Sequence, residues 1–208
     1  MTAPDIVAIV LAGGASSRFG SDKLTAELEG RPLLHHAVEA VAAVAGSIVV
    51  VIAPEAPAPP IPAALASSVV VARDATAHGG PLAGLAAGLA AIDTPVRDEA
   101  PRIALVVGGD MPRLVPAVLR LLTERLAAED DLAAMTLAAS RLAPLPLALR
   151  SVPARAAVAA CLADGGRSLR ALLRSVPSSI VPETDWRVLD PEGRSLFDVD
   201  TPADLEAG

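Results

Sequence analysis

Ile6-Val7-Ala8-Ile9-Val10-Leu11-Ala12, followed at once by Gly13-Gly14-Ala15-Ser16-Ser17-Arg18-Phe19-Gly20-Ser21-Asp22-Lys23, decides how the rest of this chain is read. The first seven residues are apolar without a break and rich in Val and Ile. That is the mark of a strand buried on both faces, as in a parallel sheet. The loop behind it is built of glycine and serine, a composition that turns backbone N–H groups toward phosphates. Lys23 is the single lysine among 17 Lys+Arg; the other 16 are arginine. It supplies a compact, flexible ammonium where the chain otherwise uses planar forks. One lysine has to stand somewhere, so Lys23 takes its meaning from its surroundings.

Two common nucleotide motifs fail here. A P-loop needs Gly-Lys adjacent, whereas Ser21 and Asp22 separate Gly20 from Lys23. The dinucleotide fingerprint needs Gly-x-Gly, which Gly13-Gly14 does not provide. What remains suits a triphosphate tail: small residues let the backbone approach, and Arg18 and Lys23 neutralise charge.

Working outward, apolar runs alternate with helical patterns. Pro32 opens a helix to about Ala45. Ser47–Ala53 is a second buried strand, and residues 54–62 form a proline-rich surface loop. Ser68–Ala72 is a third strand, Leu82–Ile92 a small-residue helix behind Gly80-Pro81, and Ile103–Val107 a fourth strand. A helix from Leu114 to Ala128 follows. Beyond it the pattern loosens. Leu132–Ala138, Leu145–Arg150 and Ile180–Val181 read as strands, and Pro153–Leu162 and Ser168–Arg174 as helices. Thr201 reads as an N-cap, with Pro202 the first helical residue and Asp204 a first-turn carboxylate. Such alternation predicts an α/β fold with a mostly parallel sheet and helices on both faces. A length of 208 residues suits one domain. Residues 1–112 are expected to serve a nucleotide and 113–208 an acceptor.

Ligands of such sheets bind beyond the carboxyl ends of the strands. The Gly13–Lys23 loop, Asp74 and Asp110 all fall at strand ends. Asp110, between Gly109 and Met111-Pro112, is placed to hold Mg2+, which takes oxygen ligands and bridges to phosphates; the alternative is a helix cap ahead of Leu114. Asp198 and Asp200 alternate by two and point the same way on extended chain. Asp200, or Asp198 in its place, is the candidate second metal carboxylate, against a capping role for the last helix. Gly165-Gly166-Arg167-Ser168 is either a second anion-binding turn or a plain loop and N-cap. His35, His36 and His78 have no partner at zinc spacing.

Composition removes several classes. Net charge is −7, with two Phe, one Trp and no Tyr. A phosphate-backbone binder or a base-stacking platform is therefore not expected, and no nucleic acid partner follows. Cys161 is the single cysteine, so an internal disulfide is impossible; it reads as a small core residue. The first apolar run ends after seven residues without a basic flank, too short for a signal peptide or a membrane span. The expectation is a cytoplasmic protein without a membrane partner.

The motifs Leu11-Ala12-Gly13-Gly14, Arg18 to Lys23, Gly80-Pro81-Leu82-Ala83-Gly84 and Gly109-Asp110-Met111-Pro112, with Asp198-Val199-Asp200-Thr201-Pro202 near the end, resemble the MobA-like nucleotidyltransferases. The resemblance covers nearly the whole chain in order and is greatest to the molybdenum cofactor guanylyltransferases. It implies a three-layer, Rossmann-like fold of the nucleotide-diphospho-sugar transferase type. It implies transfer of GMP from GTP to the phosphate of molybdopterin, with Mg2+ as cofactor and pyrophosphate released. By the resemblance, Leu11, Ala12, Gly13, Gly14, Lys23, Asp74, Gly80 and Asp110 lie at the nucleotide, with Asp110 also on the metal and Arg18, Lys23 and Asp110 carrying catalysis. Other molybdenum cofactor proteins are implied as further partners. Relatives often have Asn at the end of the second strand, where Ile52 stands here, and Asn-x-Asn where Asp198 and Asp200 stand. The second departure is closer to cytidylyl-transferring relatives, so CTP in place of GTP is the alternative. A related transferase acting on another small phosphorylated acceptor, and a module that binds nucleotide without turnover, complete the options. Lys23 and Asp110 together favour an enzyme, because binding alone needs no metal carboxylate.

Overall fold

A computed structural model describes residues 5–13, 25–76, 79–92, 102–139 and 143–206. Arg18, Lys23, Gly14 and His78 lie outside the described residues. Strand β1 spans Asp5–Leu11, and β2 (Glu27–Leu28) and β3 (Arg31–Pro32) form a small hairpin ahead of α1 (Leu33–Ala42). Then come β4 (Ser47–Ile52), a 3-10 segment (Ala63–Ser68), β5 (Val69–Arg73), α2 (Pro81–Ala91), β6 (Arg102–Gly108) and α3 (Pro116–Ala127). The remainder is β7 (Ala134–Leu137), β8 (Leu147–Arg150), α4 (Ser151–Ala163), α5 (Leu169–Ser175), β9 (Ser178–Val181), α6 (Glu183–Trp186), a 3-10 turn (Arg194–Leu196) and α7 (Pro202–Glu206).

Seven strands form one sheet in the order β5-β4-β1-β6-β8-β7-β9. All neighbours pair parallel except β8, which runs antiparallel to both β6 and β7. The expected mostly parallel sheet is therefore what the chain builds. Alternation along the strands explains the three layers. On β1, β4 and β6, Ala8, Val10, Ile48, Val50, Ile103 and Leu105 face α1 and α3, which answer with Val38, Val41, Leu119 and Leu122. Their intervening neighbours, among them Ile9, Val49, Val51 and Val106, face α2, α4 and α5. Each central strand thus buries both faces, which is why its sequence is continuously apolar. Each fully buried aliphatic side chain contributes on the order of 1.5–3 kcal/mol of transfer free energy.

The structure differs from the sequence reading in detail. The first helix begins at Leu33, because Pro32 is still paired with Glu27 in the hairpin. The third strand is an edge: Val70 and Val71 are 56% and 43% exposed. The loop behind β4 is held by Arg73, whose Nη1 donates to the carbonyls of Ala53, Pro54 and Ala56. The sole tryptophan, Trp186, is fully buried and donates Nε1–H to the Ala138 carbonyl at 3.0 Å. No helix among the described residues is long and apolar enough to cross a membrane.

Candidate functional site

Four strand ends meet at one rim because backbone hydrogen bonds continue past the strands. Ala12 N–H donates to Val51 O at 2.7 Å, Asp74 N–H to Ile52 O at 2.9 Å, and Gly109 N–H to Leu11 O at 2.9 Å. These bonds hold Leu11 to Gly13, Asp74 and Asp110 along the carboxyl edge of adjacent parallel strands, as the sequence predicted. Ala12 is buried and Gly13 is exposed beside the Ala53 backbone, so the chain emerges from the sheet where the Gly13–Lys23 loop begins.

Asp110 is half-buried. A methyl group on Gly108 would strike Asp110 Oδ1, so glycine at the end of β6 gives the carboxylate room to fold back over the strand. The buried Met111 accepts from Gly108 N–H through Sδ at 3.3 Å and fixes the turn beneath it. Asp74 accepts from Thr76 N–H at 3.0 Å through Oδ1, an Asx turn that starts the path toward α2.

The carboxyl segment joins this rim. Val199 N–H donates to Asp110 O at 2.9 Å. Val199 is fully buried with Leu28 and Leu33, while its neighbours Asp198 and Asp200 are exposed, so both carboxylates turn outward from the same short stretch, as expected. The Asp204 carboxylate reaches back to Asp200 N–H (2.9 Å) and to Thr201 N–H and Oγ1–H (2.7 and 2.9 Å), the capping arrangement read from the sequence. The cluster of Leu28, Leu33 and Val199, with Ala26, Phe197 and Leu205 against it, anchors the chain just after residue 24.

Gly80 adopts φ +81°, and a methyl there would stand 2.7 Å from the Arg167 carbonyl. That carbonyl also accepts from Leu82 N–H at 3.2 Å. The two glycine motifs, 80–84 and 165–168, are thereby brought together at the start of α2. The second serves structure. Gly165 has φ +78°, Gly166 N–H returns to Cys161 O at 2.8 Å, and Ser168 Oγ caps α5 by accepting from Ala171 N–H. His36 is likewise structural, its Nε2 lying 3.0 Å from the Leu28 carbonyl. Cys161 is half-buried, its Sγ 3.3 Å from Ser175 Oγ.

Asp110 with Asp200, or Asp198 in its place, would offer oxygen ligands of the kind Mg2+ takes. No cluster of three or more His, Cys, Asp and Glu that could hold a metal occurs among the described residues. A Mg2+ held by one or two carboxylates and substrate phosphates needs no such cage. Arg113 is a residue the sequence reading missed. It stands three positions beyond Asp110, and its Nε and Nη2 are buried without a hydrogen-bond partner among the described residues. Its only signal was its place behind Gly109-Asp110-Met111-Pro112.

A family model described as MobA-like NTP transferase domain matches residues 8–180. The chain is 32% identical over 202 residues to a "Probable molybdenum cofactor guanylyltransferase" of Chloroflexus aggregans, covering 95% of this chain and 90% of that protein. A protein of the same name from Natronomonas pharaonis is 33% identical over 199 residues, covering 95% and 94%. Among solved structures, molybdopterin-guanine dinucleotide biosynthesis protein A from Archaeoglobus fulgidus superposes with a TM-score of 0.75 at 22% identity, covering 97% of this chain and 95% of that one. The 2-C-methyl-D-erythritol 4-phosphate cytidylyltransferase of Thermus thermophilus superposes with a TM-score of 0.65 at 17% identity, covering 96% and 95%. These two likenesses speak for the fold.

Proposed function

The chain belongs to the MobA-like NTP transferase family, a family of nucleotidyltransferases. From that premise we propose that it moves GMP from GTP to the phosphate of molybdopterin and releases pyrophosphate, with Mg2+ as cofactor. The observation that carries this reading is the convergence of Leu11 to Gly13, Asp74, Asp110 and the 198–200 stretch on one rim through four backbone hydrogen bonds. Two relatives of nearly full length bearing the guanylyltransferase name support the choice of substrates.

In the proposed reaction an oxygen of the acceptor phosphate attacks the α-phosphorus of the nucleotide in line. A new P–O bond forms, the bond from the α-phosphorus to the bridging oxygen breaks, and pyrophosphate leaves with that electron pair. Phosphoryl chemistry of this kind depends on positioning and electrostatics, so no protein nucleophile is required. Backbone N–H groups of the loop from Gly13 cradle the phosphates, and Arg18 and Lys23 neutralise the charge that builds on the leaving group. Asp110, with Asp200 or Asp198, would hold Mg2+. The metal, when bound, draws negative charge from the transferring phosphate. Residues 1–112 serve the nucleotide in this reading and residues 113–208 the acceptor.

Cytidylyl transfer is the second reading, supported by Asp198 and Asp200 standing where relatives often have Asn-x-Asn, while Ile52 weakens the case for guanine. The Ile52 side chain is buried in the core, so the end of β4 offers a guanine no polar side chain there. One panel tests both readings: pyrophosphate release from GTP, CTP, ATP and UTP, each with molybdopterin and Mg2+. Release with GTP is the expected result. Preference for CTP replaces the first reading by the second, and release from none overturns both.

A further inference from the structure

Arg113 has an unusual placement for its chemistry. A guanidinium is always charged and carries five N–H donors in a planar fork. Here Nε and Nη2 are shut away from solvent with no hydrogen-bond partner among the described residues. Those two atoms are the side edge of the fork, the pair whose parallel N–H bonds grip two oxygens of one phosphate or carboxylate. Leaving such donors buried and unpaired costs their full desolvation.

The position of Arg113 is as informative as its environment. It lies on the loop from β6 to α3. Val199 N–H bonded to Asp110 O anchors one end of that loop, and Val115 N–H donating to Ser195 Oγ at 3.1 Å anchors the other. Chain length alone keeps its Cα within about 11 Å of that of Asp110. β6 lies between β1 on one side and β8 on the other, and α3, into which Arg113 leads, packs on β6, β8 and β7. The strand beyond β6 is the antiparallel β8. In the proposed reading Arg18 and Lys23 serve the nucleotide, and Arg113 heads the part of the chain, residues 113–208, assigned to the acceptor.

We infer that Arg113 is the anchor for the phosphate of the acceptor, gripping two of its oxygens with Nε–H and Nη2–H and leaving the third free to attack. This deepens the proposed function and rests on it. In the free chain the fork edge is covered, so binding turns the flexible Arg113 stem out toward the arriving anion. The covered pose lacks hydrogen bonds, and the little it loses on leaving makes that turn easy.

The test compares the whole chain with Arg113→Gln and Arg113→Lys. In pyrophosphate release, Arg113→Gln is expected to raise the KM for molybdopterin about 10- to 100-fold, the size of one lost charge-assisted hydrogen bond, since the glutamine amide keeps a donor. The Kd for GTP with Mg2+ should stay within about twofold, and Arg113→Lys should recover only part of the loss because lysine lacks the fork. Tm should be unchanged or higher in Arg113→Gln, since an unpaired buried charge is removed. An unchanged molybdopterin KM overturns the inference, as does a Tm lowered by several degrees with GTP affinity falling in step. Wild-type inactivity with molybdopterin sinks the proposed function instead. In that case inorganic phosphate is titrated against the same proteins. A tenfold weaker Kd in Arg113→Gln upholds the anion site, and an equal Kd overturns it.

Discussion

The backbone N–H of Val199 donates to the carbonyl oxygen of Asp110 across 2.9 Å, joining the end of β6 to a segment 89 positions later in the chain. With Val199 buried, the flanking Asp198 and Asp200 have one orientation available to them, outward beside the Asp110 turn.

The proposed metal site is tested at the three carboxylates beside that bond. Asp110→Asn is expected to lower kcat/KM about 10²- to 10³-fold. Asp200→Asn should raise the Mg2+ concentration for half-maximal turnover about 10- to 100-fold, and Asp198→Asn by less. A Mg2+ titration of pyrophosphate release reads all three. Normal responses in both Asp198→Asn and Asp200→Asn would remove the carboxyl segment from the metal site.

Lys23 is the lone lysine of the loop proposed to cradle the phosphates, and Lys23→Ala should cost about 10²- to 10³-fold in turnover. The urea midpoint should not move, because the loss is electrostatic and local. Turnover near that of the wild type would sink the role given to the loop.

Gly108→Ala tests the space behind the carboxylate. The added methyl strikes Asp110 Oδ1, so the carboxylate must leave its place over the strand end. A displacement of about 1 Å at a reacting centre costs about 10²-fold in rate. Turnover should fall by that order while circular dichroism stays native. Full activity in Gly108→Ala would mean that the carboxylate works from another position.

Trp186→Ala concerns the fold. The ring is fully buried and its Nε1–H is satisfied by Ala138 O, so truncation leaves a cavity and an unpaired carbonyl. The expected cost is about 3–5 kcal/mol by urea denaturation followed by circular dichroism. A loss under about 1 kcal/mol would contradict the packing described.

What the sequence made legible follows from how each residue is buried. Ile6 to Leu11, Ile48 to Ile52 and Ile103 to Val107 are strands packed on both faces, and unbroken apolar runs announce them. The β2–β3 hairpin escaped notice because each strand has two residues, and because its turn places Glu29 at φ +53° and Gly30 at φ +73°, where Asn-Gly is the usual signal. The direction of β8 was equally hidden, since Leu147 to Arg150 reads the same whichever way it pairs. At the rim, Asp74 and Asp110 were visible as acidic residues closing apolar runs. The bond from Val199 to Asp110 was not, because no local pattern encodes a contact between segments so far apart. Arg113 was overlooked for a related reason: an arginine after a proline reads as solvated until the packing around it is known.

The tie between Val199 and Asp110 also sets an order of events during synthesis. The last strand of the sheet ends at Val181, and 18 residues remain to be made before Val199 exists. Every strand of the sheet is therefore already present in the growing chain while the rim still lacks the Val199 segment. The strands are all laid down first, and the bond that closes the rim beside Asp110 forms only with a segment made after them.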